Sequence, residues 1–569
     1  MSQAPGATTR RYLSRKFLAT DWTAISEQFD RLERIAASPD VDLSAWLLTW
    51  SELEAAIDEE RTRRHIAYTC QTDDAAREKA FMEFEEQISP KCKPRWQALK
   101  KTLLNHPKRS ALDPARWGLL LRSIENEFEL FREENIPLDL EDTRLGQQYQ
   151  KLMGAMTVTY DGKERTLQQM AGYQEQRDRA VRKEAWELVA NRRLKDREAL
   201  DGIYDQMVAL RNRYAKNAGF QNFRDFIFRA RERWDYTPDD CARFHDAVEK
   251  HVVPHVRALH AERKAQLKLD VLRPWDLAVD PLDAPPLKPF EGSERLIEGC
   301  REMFRRVHPD FQAMIDTLRQ AGNLDLESRK GKAPGGYQTT LEELRTPFIF
   351  MNAAGLNQDV FTFLHEGGHA FHSLLAREEP ILRYRYAPIE FCEVASMGME
   401  LLAMDGLDVF YPEADARRAR RKELEGILAI FPWVATVDAF QHWIYTHPDH
   451  TRAERTQAWL ALRERFGGLE DWTGYEAIRD SGWHRQMHIF NSPFYYIEYG
   501  IAQLGALQVW GNKKRNGKAA VESYRSALRL GGTRRLPDLF AAAGASFDLG
   551  EKTIRPAIEG VLQELAACR

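Results

Sequence analysis

Apolar residues recur at three- and four-residue spacing along most of this 569-residue chain. That spacing places them on one face of a helix. Residues 52–75 and 169–216 are also rich in Ala, Leu, Glu, Arg and Lys, which favour helix formation. The pattern therefore predicts a mostly α-helical protein, and a chain of this length is expected to fold as two or more lobes rather than around one core.

Three segments interrupt the helical pattern. Residues 157–160 and 163–167 flank an Asp-Gly pair, which predicts a β-hairpin. The proline-rich segment 269–292 predicts a long connection and a candidate lobe boundary. Residues 346–351 form a short apolar run of β-forming residues before a turn, which predicts a buried strand. The expected fold is therefore mostly α, with a small sheet just before the segment that carries the candidate chemistry.

Composition and charge exclude several classes of partner. The chain has 82 basic and 86 acidic residues, so no dominant nucleic-acid surface or polybasic membrane anchor is expected. It contains no run of eighteen uninterrupted apolar residues, and its N-terminus has no apolar core of a secretory signal. The six cysteines are scattered without a CxxC pair, which argues against a disulfide framework or a cysteine zinc site. We expect a cytoplasmic protein.

The most informative segment contains an HExxH motif, His365-Glu366-x-x-His369, within an apolar pattern of helical spacing. Asn357 is the expected N-cap of this helix. Residues four apart lie on one helix face, so both imidazoles can point at one zinc ion. Glu366, beside the first histidine, can then reach the water at that ion as general base. The motif predicts metal-assisted hydrolysis.

A catalytic zinc site usually has three protein ligands, and the third must lie elsewhere. Residues 389–405 predict a second helix, on which Glu393, Ser396 and Glu400 share a face. One carboxylate there can be the third ligand, and another can hold a ligand histidine through its far nitrogen. Spacing alone leaves Glu390 and Glu393 as alternatives for the ligand.

Two further features of the motif helix can be explained by packing alone. His372 lies three residues after His369, and we interpret it as a packing or hydrogen-bonding residue because HExxH already supplies both helical ligands. Gly367 and Gly368 each weaken the helix relative to alanine, by about 1 kcal/mol. They predict close approach by another group, either a substrate or a neighbouring helix.

Together these residues resemble the thimet oligopeptidase and oligoendopeptidase F family of zinc metallopeptidases. The resemblance spans roughly residues 120–560 and is most similar to the oligoendopeptidase F and Pz-peptidase branch. Besides the two helices above, the segments that carry it are Asn217–Asp225, Lys332–Tyr337, Thr346–Asn352 and His488–Tyr499. The glycine pair that the thimet branch has after its active-site histidine is absent from residues 490–493, so a glycine-hinged loop motion is not expected.

The resemblance implies an almost all-α fold with two helical lobes enclosing a deep substrate channel and a small antiparallel sheet beside the HExxH helix. We place the N-terminal lobe at residues 1–200 and the catalytic lobe at 201–569. The family's pattern implies one zinc per chain and assigns roles by position. The zinc ligands are His365, His369 and Glu393, and the general base is Glu366. Glu400 is the carboxylate that supports a ligand from the second coordination sphere. The donors to the substrate carbonyl oxygen are His488 and Tyr499, with Tyr496 as second choice.

The expected activity is zinc-dependent endo-hydrolysis of short unstructured peptides. Alternatives are a zinc carboxypeptidase or dipeptidase, which would need a charged group for the free terminus, and a non-catalytic peptide-binding protein. Gly335, Gly336 and Tyr337 lie beside a predicted strand whose edge can pair with extended peptide. Tyr495 and Tyr499 are four apart and are also compatible with an ordinary buried stripe. Cleavage-site preference and oligomeric state stay open.

Overall fold

The computed structural model describes residues 10–329 and 331–568, and helices dominate it as predicted. The first helices are α1 (Trp22–Ala36), α2 (Leu43–Cys70), α3 (Ala75–Gln87), α4 (Ser89–Leu104), α5 (Pro114–Leu130) and α6 (Ile136–Gly154). Four of them follow an aspartate whose carboxylate accepts a hydrogen bond from a backbone N–H of the first turn, and these caps are Asp21, Asp42, Asp74 and Asp113. Local capping thus sets where these helices begin.

The predicted hairpin follows α6. Strands β1 (Thr157–Tyr160) and β2 (Lys163–Thr166) pair antiparallel. Asp161 and Gly162 between them both have positive φ, 51° and 67°, as a type I′ turn requires. The Asp-Gly pair therefore predicted both the turn and its position.

The middle of the chain is again helical. It comprises α7 (Ala171–Gln174), α8 (Arg179–Leu194), α9 (Arg197–Asn217), α10 (Phe223–Ala230), α11 (Pro238–His251), α12 (Val253–Gln266), α13 (Ser293–Val307) and α14 (Pro309–Ala321). The segment predicted as helical over 169–216 is divided into α7, α8 and α9, and Asp178 caps the start of α8. Between α12 and α13 the chain makes only one 3₁₀ turn, Pro274–Asp276, which confirms the long proline-rich connection.

A three-stranded sheet precedes the HExxH helix. Its strands are β3 (Leu324–Glu327), β4 (Tyr337–Leu341) and β5 (Thr346–Ala353), in the order β3-β5-β4. Strand β4 is antiparallel to β5, but β3 is parallel to it, so the sheet is mixed where we expected an antiparallel one. The chain reverses direction twice between β3 and β5, because the whole of β4 lies between them in sequence, and β3 therefore runs the same way as the central strand β5.

The remaining helices are α15 (Asn357–Ala376), α16 (Leu382–Arg385), α17 (Ile389–Ala403), α18 (Glu413–Thr446), α19 (Arg452–Phe466), α20 (Glu476–Asp480), α21 (Met487–Asn491), α22 (Tyr496–Asn516), α23 (Lys518–Arg529), α24 (Leu536–Ala542) and α25 (Glu551–Ala567). Further 3₁₀ helices are Pro107–Ala111, Glu133–Asn135, Met404–Val409 and Gly482–Arg485. Helix α17 packs against both α15 and α22. The helix with the candidate third ligand therefore lies between the HExxH helix and the tyrosine-bearing helix.

The buried apolar side chains form two cores. One extends from Leu13 to Ile124 and is joined by Ile381 and Tyr384, whereas the other lies within residues 145–568. Two cores agree with the expectation of more than one lobe. The lobe boundary that we place near residue 200 stays a prediction.

One helix among the described residues, α18, is long and apolar enough to cross a membrane by length and composition alone. However, 67% of its most apolar window is buried inside the protein. It also carries polar side chains, Asp438 and Gln441, that are fully buried among other protein groups. We therefore interpret α18 as a core helix. Our argument against a secretory signal uses the N-terminal segment of the chain. The first nine residues of that segment lie outside the described range.

Candidate active site

The HExxH helix begins differently from the prediction. Asn357 is its first residue rather than its cap, and the Asn357 side-chain oxygen accepts a hydrogen bond of 2.8 Å from the Tyr411 hydroxyl. The carboxylate of Asp359 instead accepts hydrogen bonds from the backbone N–H groups of Ala354 and Leu356, both at 2.8 Å. An acidic side chain thus holds the turn that leads from β5 into α15.

His365, His369 and Glu393 come together as one group of possible metal ligands, with ligand atoms within 4.8 Å of one another. Oε2 of Glu393 lies 3.3 Å from Nε2 of His365 and 3.5 Å from Nε2 of His369. Tetrahedral zinc with bonds of about 2.0–2.2 Å separates its ligand atoms by about 3.3–3.6 Å. The three side chains therefore fit one zinc ion and leave a fourth coordination position open.

Glycine in the motif makes this meeting of helices possible. A Cβ on Gly368 would lie 2.5 Å from the carbonyl oxygen of Ala395 and 2.6 Å from the Cα of Ser396, both on α17. A Cβ on Gly367 would overlap the ring of Phe304. The glycines thus allow tight helix packing, so the group that approaches them closely is a neighbouring helix and not a substrate. Because α17 approaches α15 so closely, Glu393 reaches the two histidines.

Two side chains of the candidate ligand set, His365 and Glu393, are held by further hydrogen bonds. Nδ1 of His365 lies 2.6 Å from a carboxylate oxygen of Glu400. The Tyr495 hydroxyl donates a 2.5 Å hydrogen bond to Oε1 of Glu393, and the Ser396 hydroxyl donates one of 3.0 Å to Oε2. Such partners fix ring orientation and ligand basicity in metal sites. The structure therefore gives Tyr495 a contact that its sequence position, compatible with a core stripe, did not predict.

Glu366 is buried beside this group. Its Oε2 has no hydrogen-bond partner among the described residues, and burial raises the pKa of this carboxyl although the imidazoles of His365 and His369 oppose the shift. A Cβ on Gly336, the residue just before β4, would lie 3.5 Å from Oε1 of Glu366. A carboxylate with a free oxygen and a raised pKa is suited to accept and return a proton.

The pKa of Glu393 moves in the opposite direction. Burial by itself would raise it, but the imidazoles of His369 and His365 lower it well below its ordinary value. Glu393 is therefore an anion, as a metal ligand must be. Glu390, the alternative that spacing left open, instead accepts a 2.5 Å hydrogen bond from the Tyr236 hydroxyl.

His488 lies against all three tyrosines of the segment, with ring centroids 5.4 Å from Tyr495, 5.2 Å from Tyr496 and 5.5 Å from Tyr499. Burial lowers the pKa of His488 to about 4 despite the charge of Glu393, so the imidazole is neutral near pH 7. A neutral imidazole has one donor and one acceptor nitrogen, and its neighbours decide which is which.

A chain of hydrogen bonds assigns these nitrogens. The indole N–H of Trp433 donates to Oε1 of Gln486 at 3.0 Å, so the Gln486 amide nitrogen faces Nδ1 of His488, 2.8 Å away. Nε2 of His488 then carries the proton and donates to the Tyr499 hydroxyl oxygen at 3.2 Å. The hydroxyl hydrogen of Tyr499 is left to point elsewhere, which favours Tyr499 as a donor to substrate.

The second choice, Tyr496, has other neighbours. It is buried, and its hydroxyl interacts with Trp433 and Gln486, while burial raises its pKa to about 12. Tyr496 thus contacts the groups that orient His488. No sequence pattern pointed to Gln486, because its role in orienting His488 depends on a contact between α18 and the segment before α21.

A strained turn at Phe494 orients Tyr495 and the start of α22. Phe494 has a φ of 62°, which is unusual for a bulky residue. Its N–H donates to Oε1 of Gln441 at 2.8 Å, and its carbonyl accepts from the Arg233 guanidinium. This over-determined turn directs Tyr495 towards Glu393 and starts α22, which carries Tyr499.

His372 stays outside the ligand group. It is buried against Phe391, its Nε2 has no hydrogen-bond partner among the described residues, and burial lowers its pKa to about 3. These properties agree with its interpretation as a packing residue.

Comparisons with known proteins agree with this geometry. The sequence pattern of peptidase family M3 matches residues 172–555, and the pattern of the peptidase M3 N-terminal domain matches residues 15–131. The chain therefore belongs to peptidase family M3, and its class is that of the metallopeptidases. This confirms the resemblance found in the sequence and extends it to residues 15–131, most of which precede the range over which we found that resemblance.

Individual relatives belong to the expected branch. The chain is 25% identical to oligopeptidase PepF of Bacillus subtilis over 314 residues, or 53% of this chain and 45% of that protein. It is also 25% identical to an oligoendopeptidase F homologue of Borreliella burgdorferi over 224 residues, or 37% of this chain and 36% of that protein. The match thus spans less than half the length of these curated relatives.

Solved structures match over nearly the whole chain. Pz peptidase A, in a structure with an inhibitor, is 27% identical with a TM-score of 0.92, and the match covers 98% of this chain and 99% of that one. A putative oligoendopeptidase F from Bacillus anthracis is 25% identical with a TM-score of 0.88, covering 97% and 98%. The mostly α fold is therefore the fold of these proteins.

Proposed function

We propose that this protein is a zinc-dependent endo-oligopeptidase of the cytoplasm that hydrolyses internal bonds of short unstructured peptides. The observation that carries the proposal is the group of His365, His369 and Glu393 with tetrahedral ligand spacing and a buried, partly unpaired Glu366 beside it. Family M3 membership supports the reaction class, and the relatives' names support oligopeptides as substrates.

Zinc held by these three side chains would supply Lewis-acid chemistry, polarising the scissile carbonyl and lowering the pKa of a water molecule. The chain's own groups do the rest. Glu366 takes the proton from the attacking water and returns it to the leaving amine. Glu400 holds the His365 ring through Nδ1, and Tyr495 and Ser396 hold the Glu393 carboxylate.

Negative charge develops on the former carbonyl oxygen during hydrolysis, and a neutral donor there lowers the barrier. Tyr499 is the best candidate, because His488 occupies its oxygen as a donor and leaves its hydrogen free. Burial also raises the pKa of Tyr499 well above its ordinary value, which keeps the hydroxyl protonated. His488 therefore positions this donor.

The edge of the sheet supports peptide binding in extended form. Strand β4 is an outer strand, and Gly336 just before it lies against the Glu366 carboxylate. A substrate added along this edge would gain main-chain hydrogen bonds and little side-chain selectivity. We propose that the two lobes enclose a channel, so that peptides of about five to twenty residues enter and folded proteins do not.

Product mapping tests the proposal. The protein is incubated with peptides of graded length, with free termini or with acetyl and amide ends, and products are identified by mass spectrometry. We expect cleavage at internal bonds whether or not the ends are blocked, no cleavage of a native folded protein, and loss of activity by several orders of magnitude in Glu366→Gln with zinc retained. Cleavage that requires a free terminus would contradict endo-hydrolysis.

One observation favours a second candidate, a zinc carboxypeptidase or dipeptidase. The Arg231 guanidinium lies 5.6 Å from the Tyr495 ring centroid, and it shares the Glu498 carboxylate with Arg233 at 3.3 and 2.9 Å. Arg231 thus places a guanidinium beside Tyr495, where it is suited to pair with a peptide carboxylate. In that case Arg231→Gln would raise KM for free C-termini but not for amidated peptides. A non-catalytic peptide-binding protein is disfavoured by the complete ligand and base set.

A further inference from the structure

A second cluster of metal-ligating side chains lies between α11 and α18, outside the HExxH site. Cys241 and His245 are four residues apart on α11, and Asp438 and His442 are four residues apart on α18. Residues at this spacing share a helix face, and the two helices pack against each other. Two such pairs on facing helices are a common way to build a metal site in a helical core.

Three of these side chains satisfy the geometry of a shared ion. Ligand atoms of Cys241, Asp438 and His442 all lie within 4.8 Å of one another. Nε2 of His442 is 3.3 Å from Oδ2 of Asp438, and ligand atoms on tetrahedral zinc are about 3.3–3.8 Å apart. The fourth side chain, His245, places its Nε2 2.9 Å from the same oxygen of Asp438.

The cluster also contains buried polar atoms that are poorly paired. Oδ1 of Asp438 is buried and has no hydrogen-bond partner among the described residues, and Nε2 of His442 is buried with only its contact to Oδ2 of Asp438 at 3.3 Å. Asp438 and Cys241 are both 0% exposed. Buried polar atoms are nearly always paired, and leaving one unpaired is costly. A cation between the carboxylate, the imidazole and the thiol would satisfy these atoms together.

We propose that Cys241, Asp438 and His442 bind a second divalent metal ion of the zinc class, with His245 positioning Asp438. Sulfur and imidazole nitrogen favour such a metal over calcium or magnesium. A thiolate and a carboxylate together balance two positive charges, so the buried centre is neutral. The nearby guanidinium of Arg233 does not disturb this balance, because it is paired with Glu498 at 2.9 Å.

This centre adjoins the turn that aims the catalytic tyrosines. The His442 ring lies 5.2 Å from the Phe494 ring, and its neighbour Gln441 accepts the N–H of Phe494. A metal here would fix α11 and α18 together beneath that turn. The ion therefore has a structural role and does not contact substrate, and it is independent of the proposed peptidase activity.

Cobalt substitution tests the second site. His365→Gln/His369→Gln removes the HExxH ligands, and this variant is expressed in cobalt-supplemented medium and freed of loose metal. We expect about one cobalt per chain and a thiolate-to-cobalt charge-transfer band in the near ultraviolet. Adding Cys241→Ser should remove the band and most of the cobalt. Adding Cys300→Ser, a change at another buried cysteine, should leave both unchanged.

No retained cobalt in the double variant, or a band that survives Cys241→Ser, would overturn the proposal. If Cys241→Ser does not fold, the double variant alone decides through its cobalt content, its band and a Tm that rises with metal. Because the test protein lacks the HExxH ligands, its result does not depend on peptidase activity. A failure of either proposal is therefore recognised separately.

Discussion

The Tyr495 hydroxyl donates a 2.5 Å hydrogen bond to Oε1 of Glu393, while both motif histidines approach Oε2 of the same carboxylate. Tyr495 thus holds Oε1, whereas Oε2 accepts a hydrogen bond from Ser396 and faces the two histidines. Tyr495→Phe removes the hydroxyl and keeps the ring. We expect zinc affinity to fall about 10- to 100-fold, as for loss of similar partners of metal ligands.

Competition with a zinc-binding dye measures this affinity. Tyr475→Phe is the matched control. The Tyr475 hydroxyl donates a hydrogen bond to the Glu187 carboxylate, which lies away from the site, so removal of this hydroxyl should leave zinc binding unchanged. Equal zinc affinity of Tyr495→Phe and the parent would show that Glu393 is oriented without this bond.

Tyr499→Phe should lower kcat by about a hundredfold or more with little change in KM, because it removes a donor that acts mainly in the transition state. Tyr496→Phe should have a smaller effect, since its hydroxyl interacts with Trp433 and Gln486. Steady-state kinetics on one internally cleaved peptide compare the two variants. A large kcat loss in Tyr496→Phe alone would transfer the role to Tyr496.

Gly368→Ala should lower the free energy of unfolding by about 1–3 kcal/mol and weaken zinc binding, because its methyl group would push α15 away from the α17 backbone. Gly426→Ala in α18 is the control, since a Cβ there meets nothing within 4 Å and alanine favours the helix. Chemical denaturation and zinc titration measure both effects. Unchanged stability and affinity in Gly368→Ala would refute the close-packing argument.

The pH dependence of stability tests the buried, neutral His372. Its pKa is about 3 in the folded protein and about 6.5 when unfolded, so the unfolded chain binds more protons between these values. Its contribution to stability is therefore complete above pH 6.5 and lost as the pH falls towards 3. From pH 7 to pH 5 this amounts to about 2 kcal/mol.

His372→Leu should remove that part of the pH dependence and retain full zinc occupancy. Urea denaturation at pH 7 and pH 5 compares the variant with the parent. Loss of zinc in His372→Leu would show that we assigned this histidine wrongly.

Much of the fold followed from local signals. The Asp-Gly turn predicted the hairpin, the apolar run predicted β5, and helical spacing predicted α15 and α17. The parallel pairing of β3 was not predicted, because it depends on which edge of β5 a distant strand meets. Residues 169–216 are divided twice within a continuous helical pattern, once where Asp178 caps α8 and again between α8 and α9.

The site was predictable to the extent that it uses helical spacing. HExxH gave the two histidines and Glu366, whereas the choice of Glu393 over Glu390 needed the resemblance. Tyr495 and Gln486 have contacts that no spacing rule reports, because each reaches its partner across different elements. The cluster of Cys241 with Asp438 and His442 joins helices almost two hundred residues apart in sequence, so scattered residues gave no motif.

Recovery of peptidase activity by zinc tests the central claim most directly. Chelator-treated parent, Glu393→Gln and Glu390→Gln are titrated with zinc, and the concentration that restores half of the maximal activity is measured. We predict that Glu390→Gln recovers like the parent, whereas Glu393→Gln needs far more zinc or does not recover. Normal recovery of Glu393→Gln together with failure of Glu390→Gln, or full activity of the parent in excess chelator, would contradict the account.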